Sequence, residues 1–137
     1  MKTRIGTAVA TLAVSLVAGS LWAHHSVDAF FDVSKPLTIT GTIAKVDWRN
    51  PHIAFSLDAK SDRGQVETWT VHGWAPSVYG RRNSGKADFV NAIGQTVTVE
   101  ISLARDGSRS GHFEKITFPG GKSVGDGLAA AKQGGKQ

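Results

Sequence analysis

The chain contains no cysteine among its 137 residues. That removes disulfides, thiolate metal ligands and cysteine nucleophiles from the chemistries open to it. Aromatic residues are few, at 8%, which is thin for a protein that stacks nucleobases along a groove. Beyond the first 23 residues no stretch holds 18 consecutive apolar residues, so no later segment reads as a membrane span. Net charge is modest as well. The formal value is +5, and removing Lys2 and Arg4 from the 16 basic side chains leaves 14 against 11 acidic ones. An excess of that size does not by itself call for a polyanionic partner.

What is present begins with an export signal. Lys2 and Arg4 form a positive start, residues 5–17 are apolar and uncharged, Gly19 and Ser20 break the run, and Ala23 is a small residue suited to a peptidase. The layout is that of a secretory signal peptide over residues 1–23, with cleavage after Ala23 and after Ser20 as the alternative. It predicts a periplasmic or secreted protein. The remaining chain, about 114 residues, is the size of one domain. It divides into an N-terminal arm (24–36), a patterned domain (37–118) and a tail from Pro119, rich in Gly and Lys, expected to stay mobile because it has little apolar surface to bury.

Within the domain the hydrophobic period is two. Leu37, Ile39, Gly41 and Ile43 alternate with polar or small residues, as do Ile53, Phe55 and Leu57. Val66, Trp69 and Val71 slip parity once, predicting a bulge near Thr68. Val97, Val99, Ile101 and Leu103 form a fourth strand and Phe113, Ile116 and Phe118 a fifth. Between strands three and four, Ser84 is placed to cap a short helix near 85–93. Phe89, Val90 and Ile93 fall on one helical face and Gly94 ends it. The order β-β-β-α-β-β predicts an all-β fold, a small five-stranded OB-like barrel. Gly41 stands where the long first strand must bend. Ile43, Phe55, Val99 and Ile101 are expected in the core.

Histidines carry the candidate chemistry. Cleavage before His24 frees an α-amine of low pKa beside an imidazole, and His25 follows at once. Nitrogen donors of this kind suit Cu(II), with zinc and nickel also possible, and copper stands highest in the divalent affinity order. His52, in the turn "WRNPH" and stiffened by Pro51, is the expected third donor. Amine plus two imidazoles is the donor set of a histidine brace, an analogy of ligand chemistry alone. Asp28 and Asp32 are open either to add an oxygen ligand or to be solvated. The bland alternative is a flexible dihistidine arm that binds metals weakly and incidentally.

The motifs "AHHS", "F-D", "KP-T-TG-I-KVDW-NPH", "W-V" with a following Pro and Arg loop, and "DGS" before "ITFPGGK" together resemble the DUF6152 family of small exported bacterial proteins. The resemblance implies export and a small β domain. It puts weight on His24-His25-Ser26 and Asn50-Pro51-His52, and it supplies no activity. His72 and His112 lie outside those motifs and rank below the other three histidines.

No catalytic set emerges. Ser26 and His25 are adjacent and point apart in an extended arm, so they do not make a nucleophile–base pair. Trp74, Tyr79, Arg81 and Arg82 would form either a small ligand pocket at the barrel rim or part of the core and its cap. The second functional class is therefore an OB-like binding or interaction module for a small organic or glycan ligand, or for another exported protein, with the histidines incidental. Export argues against nucleic acid as a partner.

Overall fold

A computed structural model describes residues 27–80 and 84–125. The chain falls into two compact units, Met1–Phe30 and Phe31–Gln137. Of the first, only residues 27–30 are described, and they form one helical turn. His24, His25, Arg81 and Arg82 lie outside the described residues, as do the signal segment and residues 126–137.

The second unit carries β1 (Phe31–Asp47), β2 (Ala54–Lys60), β3 (Val66–His72), α1 (Pro76–Gly80), α2 (Lys86–Asn91), β4 (Thr96–Ala104), β5 (Ser110–Thr117) and β6 (Ser123–Gly125). The sheet order is β3-β2-β1-β4-β5-β6, and a further pairing of β3 with β5 closes the first five strands into a ring of hydrogen bonds. That closing pair is parallel, whereas its neighbours are antiparallel. The five-strand order with a helix between the third and fourth strands is the one the sequence predicts, joined by a short helix, α1, that it does not.

The ring works because β1 is long enough to serve two neighbours. Gly41 and Thr42 are its shared residues, with Gly41 paired with Ala59 of β2 on one edge and Val97 of β4 on the other. A Cβ there would stand 2.6 Å from the Asp58 carbonyl oxygen, so only glycine fits the bend without moving backbone. A register shift between Ile43 and Lys45 adds curvature just beyond it.

Alternation then sorts the side chains. Ile39, Ile43, Ile53, Phe55, Leu57, Val71, Val97, Val99, Ile101, Phe113 and Ile116 are all buried, including each of the four expected core residues. Phe89 of α2 plugs the ring. Its side chain is fully buried and its ring lies 5.1 Å from Trp48, 5.7 Å from Phe55 and 5.4 Å from Phe118. Aromatic contacts at these separations add to simple area burial.

Five local readings differ from the structure. β1 starts at Phe31, not after Pro36: a register shift between Asp32 and Pro36 takes up the proline, and the Asp32 carboxylate accepts the Ser34 N–H and hydroxyl across that shift. β2 and β3 pair without a break, so there is no bulge near Thr68, and Val66 simply faces outward. The α2 cap is Gly85, whose N–H donates to Asp88 Oδ2 at 3.1 Å, and Ser84 is buried beside it. On that helix Phe89 and Ala92 face in, while Val90 and Ile93 are 38% and 44% exposed. The helix ends at Asn91 with Ala92 as its C-cap, so Ile93 leaves the helical face and bridges to Ile43. Finally, the segment from Pro119 turns back through Gly120 and Gly121, both at positive φ, and pairs as β6 on β5, burying Val124. Lys122 ties this hairpin to α2 by an ion pair to Asp88 at 2.7 Å.

Candidate functional site: the histidine-bearing outer face

Closing the ring places two histidines together. β3 and β5 run parallel with Thr70, Val71 and His72 opposite Ser110, Gly111 and His112. Val71 and Phe113 point into the core. By period two, His72 and His112 therefore stand side by side on the outer face, on strands about 4.8 Å apart. Thr70 N–H donating to the Arg109 carbonyl at 3.0 Å extends this junction.

His52 joins the same face. It lies two residues before Ala54, whose partner in β2–β3 is His72. The pairing continues past the strand ends, because Ile53 N–H donates to the Trp74 carbonyl at 3.0 Å and Gly73 N–H to the Ile53 carbonyl at 2.9 Å. Ile53 is buried, so His52 has outward parity, and it is exposed. It follows a cis Asn50–Pro51 bond.

Two aromatic side chains cover the inner part of this group. Phe31 lies 6.1 Å from the His72 ring and 5.6 Å from the His112 ring. Trp74 meets His112 edge-on at 5.0 Å. His112 is left only 3% exposed, whereas His72 is half-buried. Burial pushes the His112 pKa down to about 4, helped by the charges of His72 and His52 and opposed by a backbone hydrogen bond at Phe113. His72 is shifted down as well, first by burial and then by His52. Both shifted histidines are neutral near pH 7, the form that ligates metal.

The carboxylates nearby are engaged. Asp47 pairs with Arg49 at 2.7 Å. Asp32 accepts two hydrogen bonds from Ser34, which hold its carboxyl below the usual range. Glu114 accepts the hydroxyl of the buried Ser102. Among the described residues, no group of three or more His, Asp or Glu side chains stands arranged to hold a metal ion.

The rim residues divide. Tyr79 is fully buried in the core, and its hydroxyl accepts the Trp74 N–H at 3.0 Å. A side chain on Gly73 would collide with that hydroxyl, so the β3–α1 turn is shaped around it. Trp74 is half-buried over His112. Tyr79 is thus a core residue and Trp74 a cover over His112, while Arg81 and Arg82 lie outside the described residues.

Sequence reasoning ranks His72 and His112 below His52, yet the structure sets those two side by side, with His52 two residues from the cross-strand partner of His72. The outward parity of His72 beside Val71 and of His112 beside Phe113 is visible in the sequence. What is not visible is the parallel closure of β3 on β5 that makes the two histidines neighbours.

No helix among the described residues is long and apolar enough to cross a membrane. No curated protein and no solved structure matches this chain. Residues 11–113 match the family model described as a family of unknown function, DUF6152, and the chain belongs to that family.

Proposed function

We propose that this is an exported protein that binds one transition-metal ion, copper before zinc or nickel, through the amine and imidazole of a mature N-terminal His24 together with His52, with His25 as a fourth ligand or an alternative chelate. The signal-like segment ending at Ala23 supports export and a periplasmic or secreted location. The observation that carries the reading is the placing of His72 and His112 side by side against Phe31, the first residue of β1, with His52 two residues before Ala54, the cross-strand partner of His72. Six residues lie between His24 and Phe31, a span of at most about 25 Å. A nitrogen-only donor set favours copper.

Native mass spectrometry of the exported protein tests the proposal. The expected result is a mass beginning at His24 and one copper per chain after loading, lost when the terminal amine is acetylated. A mass beginning at Leu21, or copper retained fully after acetylation, rules out the amine–His24 chelate. An absence of any metal uptake returns the protein to the second class, a binding module for a small ligand or an exported partner.

A further inference from the structure

The sequence motifs single out His52 alone within the folded domain. We propose that His72 is the domain's second metal ligand, sharing one Cu(II) with His52 on the outer face of the ring, while His112, packed beneath Phe31 and Trp74, stays outside the coordination sphere. The proposal rests on the copper reading above and deepens it.

Three observations carry it. First, His52 and His72 have the same outward parity on adjacent strands, since Ala54 is the cross-strand partner of His72 and His52 lies two residues away. Diagonal neighbours of this kind stand about 7–8 Å apart at Cα, within reach of two imidazoles turned toward one ion. Ala54, between them in sequence parity, carries only a methyl group. Second, His72 is half-buried and His52 exposed, so both are accessible to an ion from solvent, whereas His112 lies beneath Phe31 and Trp74. Third, two nearby carboxylates are held elsewhere, Asp47 by Arg49 and Asp32 by Ser34, so neither competes with imidazole for the ion. With no third described donor in place, the two imidazoles make a half-site. Water completes it.

The test is Cu(II) titration calorimetry on the exported protein and on His52→Ala, His72→Ala, His72→Phe and His112→Phe, joined to pulsed electron paramagnetic resonance that counts bound imidazoles. His72→Phe keeps a ring against Phe31 should the alanine variant fail to fold. The expected result is a loss of affinity of at least tenfold in both His72 variants, similar to that of His52→Ala, with one fewer coordinated imidazole, and a change of less than threefold in His112→Phe. Wild-type affinity and an unchanged imidazole count in the His72 variants, alongside a loss in His52→Ala, would overturn the assignment and leave the copper reading standing. A loss in His112→Phe as large as in His72→Phe would overturn the division of roles. A wild-type protein that takes up no Cu(II) ends both readings.

Discussion

The two faces of the β3–β5 junction are made of neighbouring residues and obey different rules. Inward, Val71 and Phe113 are fully buried, and Gly111 packs against Ile101 so closely that a Cβ there would strike its side chain. Outward, one residue along each strand, stand His72 and His112, sharing a thin cover of Phe31 and Trp74. The inner face is determined by hydrophobic alternation, because burial of apolar area is non-directional and tolerates no polar residue without a partner. The outer face is determined by which strands meet. The same imidazoles on a sheet left open between β3 and β5 would be ordinary surface histidines. The difference teaches that the histidine pair owes its position to closure and the core its burial to periodicity.

Breaking the inner face should have the largest effect. Phe89→Ala removes the side chain against which Trp48, Phe55 and Phe118 pack, and it should cost about 3–5 kcal/mol, read by chemical denaturation. Phe55→Ala should fall in the same range, since that site is also buried. In a domain whose total stability is about 5–15 kcal/mol, either variant should be marginal. A loss below about 1 kcal/mol would mean that the core is not organised around this aromatic group.

A change on the outer face should act through pH. The His112 pKa falls from 6.5 to about 4 on folding because the imidazole is buried. The unfolded chain thus binds a proton in a range where the folded one does not. The stabilising contribution of neutral His112 is fully present above about pH 6.5 and is lost as pH falls toward 4, a change of about 3 kcal/mol across that window. Denaturation of the metal-free protein at several pH values between 7 and 4 should show this slope, and His112→Phe should flatten most of it. An equal slope in the variant would place the proton elsewhere.

The bend that permits closure offers a smaller perturbation. Gly41→Ala puts a methyl group 2.6 Å from the Asp58 carbonyl oxygen, and overpacking of this kind should cost about 1–3 kcal/mol. Amide exchange should then speed up in β1 and β2 around residues 41–59 more than in β5. Smallest of all should be the surface pair Arg109–Glu67, 2.7 Å apart but well exposed on the arginine side. Arg109→Ala should change stability by less than about 1 kcal/mol, and less still in high salt.

These contrasts also mark what the sequence makes legible. Strand faces follow from period two, and Gly41 from its place inside the long first strand. Parity misleads at Val66, where an exposed valine imitates a bulge, and at Ile93, where the helix ends too early to bury it. The return of residues 119–125 as β6 depends on a single apolar residue, Val124, and two glycines at positive φ, too little pattern to register against a Gly-rich background. In the candidate site, His52 is legible through its motif and its proline. His72 and His112 are not, because they are brought together only by the pairing of two strands about 40 residues apart in the chain.

The central claim is that copper is held by a terminal histidine acting with the domain's own. Its most direct test is the Cu(II) affinity of the exported protein measured beside a form carrying one extra alanine before His24. The account predicts one bound ion per chain and an affinity that falls at least tenfold when the added residue moves the amine away from the His24 imidazole. Equal affinity in the two forms would contradict it.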